Sequence, residues 1–162
     1  MDKLEQGFFD LILLDMKGVG KGMAKDQGLG LLRHIKSANS TQIIIAYSGA
    51  TFSLKDKVFF DLADSTLAKT ADYVDFKREV DECLRRRFSI EYHLARLEDL
   101  AAARGADRSA IRKAAQKALD KRDSSVLEKS MGKMGLGEDA INIGLQIIQV
   151  AIGVAQLLVG GK

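Results

Sequence analysis

The sequence contains no proline, no tryptophan, one cysteine and two histidines. The single cysteine, Cys83, excludes an internal disulfide and a zinc site built from several cysteines. It lies in a charged amphipathic segment and is interpreted as a half-buried structural thiol. The histidines, His34 and His93, do not stand in a metal-ligand spacing, so both are interpreted as residues of helix surfaces.

The sequence also has no large excess of basic over acidic residues. The 25 Lys and Arg residues and the 22 Asp and Glu residues give a net charge of +3, and the two signs are interspersed. We therefore do not expect a nucleic-acid partner. The first residues are acidic where a secretory signal would be basic and then apolar, so we expect a cytoplasmic protein.

Short apolar runs alternate with amphipathic segments in the first half of the chain. The first run, FFDLILLD, has six apolar or aromatic residues flanking one acidic residue and ends at Asp15, which predicts a strand buried on both faces of a sheet. The alternation predicts an α/β fold with three parallel strands. The predicted strands are 9–14, 41–47 and 65–68, and the predicted helices are about 27–37, 54–63 and 73–88.

A polar residue follows each of these runs: Asp15, Ser48 and Lys69. Because the carboxyl ends of parallel strands meet at one edge of a sheet, we expect the three side chains to lie close together. A carboxylate there can attack a phosphorus atom and form a mixed anhydride, while a hydroxyl and an ammonium hold the phosphoryl oxygens. The pattern predicts a phosphoryl-transfer site.

A glycine-rich segment, GVGKG at 18–22, follows the first strand and precedes a helix. It lacks the spacing of a P-loop, and Met23 stands where a dinucleotide-binding loop needs its third glycine. We therefore interpret it as a lid or a plain loop and expect no nucleotide cofactor.

The segments FDLILLDM and IIIAYSG, with a lysine after the third strand, resemble the latter part of a response-regulator receiver domain of two-component systems. The resemblance covers residues 1–88 and implies a partial flavodoxin-like receiver. It implies Asp15 as phosphoacceptor, Ser48 as the hydroxyl that reports phosphorylation, and Lys69 as the ion-pairing lysine. It also implies a bacterial phosphorelay, with a histidine kinase or phosphotransfer protein as partner, and a phosphoacceptor that is not a turnover enzyme.

The sequence departs from that family at the metal site and near the lysine. The resemblance implies Mg²⁺ at Asp15, but the acidic pair of the family's earlier strands has no counterpart, so Asp15 forms a partial site. Thr70 follows the lysine where the family has a proline, and Thr66 occupies the position of its switch aromatic. These departures indicate a divergent receiver, and they leave open that the three residues are an inert remnant.

Residues 89–162 predict a separate α-helical region. Alanine- and leucine-rich segments at 89–104 and 108–122, separated by a break at Gly105, predict a helical hairpin. A connector at 123–137 contains one short helical piece, VLEKSMGKM.

The last predicted helix, 138–160, carries no charge between Asp139 and Lys162 and is long enough to cross a bilayer. Three uses are open: a core helix that covers the sheet, an interface in a homo-oligomer, or a pore-like segment in contact with a membrane. Its polar arc comprises Asn142, Gln146, Gln149, Gly153 and Gln156, and its small-residue stripe comprises Ala140, Gly144, Ala151 and Ala155.

This tail supports a second hypothesis for function: a non-catalytic interaction or membrane-active protein. In that case the receiver-like region is a scaffold, and the tail oligomerises or inserts. On either hypothesis the first strand is an apolar edge strand, which invites aggregation unless it is covered. We expect a partner strand or the appended helices to cover it.

Overall fold

The computed structural model describes residues 9–17, 19, 27–49 and 57–160. It divides into two compact units, the first ending at Arg87 and the second beginning at Phe88. The described residues of the first unit form three strands and three helices, and those of the second form four helices. This composition is compatible with the predicted α/β class followed by a helical region.

The first unit contains a parallel sheet in the order β1-β2-β3, which confirms the predicted strand direction. Asp15 is in register with Tyr47, and Ser48 is in register with Ala68. Most of the glycine-rich segment at 18–22 and the start of the helix predicted at 54–63 lie outside the described residues. The elements are β1 Leu11–Asp15, α1 Gly28–Ala38, β2 Ile43–Ser48, α2 Lys57–Leu62, β3 Ser65–Ala68 and α3 Tyr73–Arg87.

A separate apolar core lies on each face of this sheet. Alternate residues of a strand point to opposite faces, so β2 contributes Ile44 and Ala46 to one core and Ile43 and Ile45 to the other. The first core also contains Leu14 of β1, Leu32 and Ile35 of α1, and Phe59 of α2. The second is completed by Leu67 of β3 and Cys83 of α3.

The prediction that the first strand is buried on both faces is wrong. Leu14 is 4 % exposed, whereas Leu13, which points to the opposite face, is 38 % exposed. The reason is that β1 is an edge strand, and the Cys83 core is centred on β2 and β3. Among the described residues β1 pairs only with β2, so the expected partner strand does not come from that part of the chain.

The second unit is a bundle of helices with well-defined ends. Ser89 accepts a hydrogen bond from the Tyr92 amide before α4, and Asp107 accepts one from the Ala110 amide before α5. The predicted break at Gly105 is confirmed, since its φ of +77° suits glycine. The elements are α4 Ile90–Ala102, α5 Arg108–Lys121, α6 Ser125–Lys133 and α7 Glu138–Gly160.

The long final helix, α7, is a core helix of this bundle. Ile147, Ile148 and Ala151 are at most 1 % exposed and belong to a core shared with α4, α5 and α6. The small-residue stripe allows close contact as predicted, since a Cβ at Gly144 would lie 2.6 Å from the Sδ atom of Met131. Of the three uses left open by the sequence, the buried face of α7 shows that of a core helix, and the core to which it belongs is that of the helical unit.

The outer surface of α7 is polar along most of its length and apolar at its end. Asn142, Gln149 and Gln156 are exposed, as the polar arc predicted. Leu157, Leu158 and Val159 in the last turns are 67 %, 67 % and 63 % exposed. By length and composition this helix is able to cross a membrane, as the sequence indicated.

Two further predictions about single residues are wrong. Cys83 is fully buried and not half-buried, and this burial raises the pKa of its thiol. His93 is 1 % exposed, whereas His34 lies on a helix surface as predicted. His93 is buried because α4 packs on both α5 and α7, which together cover a wide arc of its surface.

Candidate functional site

The three predicted site residues lie at the carboxyl edge of the sheet. Asp15 is the last residue of β1, Ser48 is the last residue of β2, and Lys69 directly follows β3. The parallel register keeps these ends level, with Asp15 opposite Tyr47 and Ser48 opposite Ala68. The topology therefore places a carboxylate, a hydroxyl and an amine along one edge.

Asp15 and Lys69 form an ion pair across this edge. The Nζ atom of Lys69 lies 2.5 Å from Oδ2 of Asp15, and the two side chains are 41 % and 27 % exposed, respectively. Ser48 is buried, and its carbonyl oxygen accepts a hydrogen bond from the Lys69 amide at 2.9 Å. The pair is thus open to solvent on one side and anchored to β2 through the backbone.

The loop after β1 holds the Asp15 carboxylate from the other side. The Lys17 amide donates a hydrogen bond to Oδ1 of Asp15 at 3.2 Å, while Lys69 occupies Oδ2. The start of α1 packs directly on this turn, since the Gly28 amide donates to the Met16 carbonyl at 3.2 Å. A Cβ at Gly28 would lie 2.4 Å from the Asp15 carbonyl oxygen, so only glycine fits there.

The ion pair keeps Asp15 ionised. The hydrogen bond from Lys69 is the largest cause that lowers the pKa of the Asp15 carboxyl, and the Lys17 amide adds to it. An ionised carboxylate with a neighbouring ammonium is suited to nucleophilic attack at an electrophilic phosphorus atom. The ammonium then faces the oxygens on which negative charge accumulates.

The lowered pKa of Asp15 predicts how stability depends on pH. Since the folded-state pKa lies below the ordinary value of 3.8, the pair contributes to stability above that pH. The contribution is lost as the pH falls through the folded-state pKa. We expect the difference in free energy of unfolding between the native protein and Lys69→Met to become smaller as the pH falls from 6 to 2. The measurement is urea unfolding at each pH.

The control for this measurement is Lys57→Met. Lys57 and Asp61 form an exposed pair, with side chains 65 % and 57 % exposed. Loss of this exposed pair should change the free energy of unfolding by less than about 0.5 kcal/mol at any pH. A Lys69→Met difference that is equal at pH 2 and pH 6 would contradict the assigned role of the pair.

The described residues do not by themselves fit a magnesium site. Mg²⁺ prefers six oxygen ligands, usually including one or two carboxylates and several waters. Asp15 offers one carboxylate, and each of its oxygens already accepts a hydrogen bond, one of them from an ammonium. Within the described ranges no group of three His, Cys, Asp or Glu side chains is placed to hold a metal ion.

Sequence reasoning missed a second polar cluster, at the amino end of β2. Lys36 of α1 lies 2.5 Å from Oδ2 of Asp64 and donates to the Gln42 carbonyl at 2.8 Å. The same Asp64 oxygen accepts a hydrogen bond from the Ile44 amide at 2.8 Å. No spacing in the sequence signals this contact, because its members lie 28 residues apart on different elements. Its position at the end of the sheet opposite Asp15 and Lys69 indicates a structural role.

Comparisons with known proteins do not add a family to this geometry. No family model matches the chain, and neither curated proteins nor solved structures give a match. The class of protein is therefore defined by the molecule itself: a three-stranded parallel α/β sheet with an acid–amine pair at its carboxyl edge, followed by a helical unit.

Proposed function

We propose that the first unit is a divergent, flavodoxin-like receiver module and that Asp15 accepts a phosphoryl group in a two-component phosphorelay. The observation that carries the proposal is the Asp15–Lys69 ion pair at the carboxyl edge of a parallel sheet. A carboxylate that is ionised, accessible to solvent and paired with an amine has the properties that a phosphoacceptor needs.

The donor is a phosphohistidine of a histidine kinase or phosphotransfer protein. An oxygen of Asp15 attacks the phosphorus atom, the new O–P bond forms, and the N–P bond of the donor breaks. The electron pair of that bond stays on the imidazole, which leaves as a neutral ring because the other ring nitrogen of the phosphohistidine carries a proton. Lys69 then pairs with a phosphoryl oxygen in place of the carboxylate oxygen that it holds in the resting state.

Ser48 is the residue through which the change is transmitted. Its carbonyl oxygen accepts a hydrogen bond from the Lys69 amide, and its side chain is buried at the end of the central strand. A displacement of Lys69 towards a phosphoryl group therefore acts directly on the end of β2. The module passes this state to a partner, in the cytoplasm and as a homo-oligomer.

The proposal predicts covalent phosphorylation at one residue. Incubation of the full chain with acetyl phosphate, with and without magnesium chloride, should add the mass of one phosphoryl group. Hydroxylamine should remove it, because it cleaves acyl phosphates. Asp15→Asn should abolish the adduct, since an amide oxygen is a poor nucleophile.

Asp10→Asn is the matched control for this experiment. Asp10 lies just before β1 and is 62 % exposed, but it stands at the opposite end of the strand from Lys69. Its substitution should leave the adduct unchanged. Absence of an adduct on the native protein, with acetyl phosphate and with a phosphorylated histidine donor alike, would refute the proposal.

The exposed end of α7 supports a second candidate function, in which the chain is a non-catalytic protein that binds membranes. Leu157, Leu158 and Val159 form an apolar tip on a helix that is otherwise packed or polar. In this case the Asp15–Lys69 pair stabilises a scaffold, and the tip provides the contact with lipid.

A further inference from the structure

Lys69 reaches Asp15 across an intervening strand. Lys69 follows β3 and Asp15 ends β1, while β2 lies between them. Neighbouring strands are about 4.8 Å apart, so the two backbones are separated by roughly 10 Å. The side chain of Lys69 must therefore extend over the end of β2, and the residues there determine its path.

Two residues at the end of β2 border that path. At Gly49, a Cβ would lie 3.4 Å from Cδ of Lys69 and 3.8 Å from its Cβ, so the aliphatic stem runs alongside the glycine. Tyr47 precedes Ser48 in the chain, and the centre of its ring lies 5.7 Å from the Lys69 Nζ atom. This distance is within the range of a cation–π interaction. Tyr47 is also in register with Asp15, so its ring and the carboxylate are neighbours on the sheet.

We propose that Tyr47 is a positioning residue that holds the Lys69 ammonium at Asp15, and that a small residue at position 49 leaves the path of the Lys69 side chain open. This inference deepens the proposed phosphoacceptor function and rests on it for its catalytic consequence. Gly49 leaves room for the stem, and the ring of Tyr47 supports the ammonium. When Asp15 gains a phosphoryl group, the ring retains the ammonium while it exchanges a carboxylate oxygen for a phosphoryl oxygen.

The proposal assigns the positioning role to the ring of Tyr47 and none to its hydroxyl. Tyr47→Phe keeps the ring and should behave as the native protein does. Tyr47→Leu keeps an apolar side chain but removes the ring face, so the pKa of Asp15 should rise part of the way towards that in Lys69→Met. The measurement is the titration of the Asp15 carboxyl carbon by NMR in the full chain. In Tyr47→Leu, phosphorylation by acetyl phosphate should slow by about twofold to fivefold, as expected for the loss of one exposed cation–π contact.

A pair of variants at Gly49 keeps the proposal testable if Tyr47→Leu does not fold. Alanine would make an ordinary contact with Lys69, so Gly49→Ala should leave the Asp15 titration unchanged. Gly49→Val would place a branched side chain on the path of the stem and should raise the pKa of Asp15. Measurement of far-UV circular dichroism identifies which variants are folded.

The outcomes for the positioning role and for the phosphoacceptor role are distinct. If the titration moves in Tyr47→Leu or Gly49→Val but the native protein takes up no phosphate, the positioning role stands and the phosphoacceptor role fails. If the native protein is phosphorylated but the Asp15 titration is the same in every folded variant except Lys69→Met, the positioning role is overturned.

Discussion

Gly28→Ala is expected to lower the free energy of unfolding by about 3 kcal/mol and to displace the end of β1, because a Cβ at this position has no room. The Cβ would lie 2.4 Å from the Asp15 carbonyl oxygen, 2.8 Å from the Met16 carbonyl oxygen and 2.9 Å from the Met16 Cα. All three are backbone atoms, which cannot rotate away as a side chain does. The start of α1 must therefore separate from β1, and the Asp15 carboxylate must move with its backbone.

The measurement is urea unfolding followed by circular dichroism, together with NMR titration of Asp15. Gly132→Ala is the control, since a Cβ at this helical glycine would meet nothing within 4 Å. Alanine there should be neutral or stabilise the helix by up to about 1 kcal/mol. A Gly28→Ala protein with native stability and a native Asp15 titration would show that this contact does not position the site.

The sequence allowed the sheet to be predicted because the first two strands are short runs of mostly apolar residues that alternate with amphipathic segments. The segment LILLD and the segment IIIAYS are strands at nearly the predicted positions, and their polar ends meet as the parallel topology requires. Asp15 and Lys69 could be paired in advance because chain direction alone brings strand ends to one edge. A site made of strand ends is therefore accessible to sequence reasoning.

Residues whose role depends on tertiary distance could not be predicted in this way. Three such contacts join separate elements: Gly28 with Asp15, Tyr47 with Lys69, and Lys36 with Asp64. The burial of His93 has the same origin, since a periodic pattern shows the centre of a buried face but not its width. The apolar face of α7 was recognised, but hydrophobicity does not identify the partner of such a face, so three uses stayed open until the helical core was observed.

Serine substitutions at the end of α7 are expected to abolish any binding of the chain to lipid vesicles. The test variant combines Leu157→Ser, Leu158→Ser and Val159→Ser, whose native side chains are about two-thirds exposed. Transfer of each apolar side chain out of water contributes about 1 to 2 kcal/mol, so their joint loss weakens binding by more than about a hundredfold. The measurement is co-sedimentation with vesicles of phosphatidylcholine and phosphatidylglycerol.

The matched control changes the same number of exposed residues on the same helix: Asn142→Ser, Gln149→Ser and Gln156→Ser. It should leave vesicle binding unchanged, and neither triple variant should lower the melting temperature. A native protein that does not bind vesicles, or a serine variant that binds equally well, would contradict the membrane function.

The packing of α7 also limits how deeply it enters a membrane. Ile148 and Ala151 are completely buried in the core of the helical unit, so a helix that crossed a bilayer would leave that core open. Loss of a single large core side chain commonly costs 2 to 5 kcal/mol, roughly the amount that the exposed tip gains in lipid. We therefore expect shallow attachment, in which the amides of α4 to α6 keep their protection from hydrogen exchange on vesicles. Loss of that protection would instead show that α7 leaves the bundle and spans the membrane.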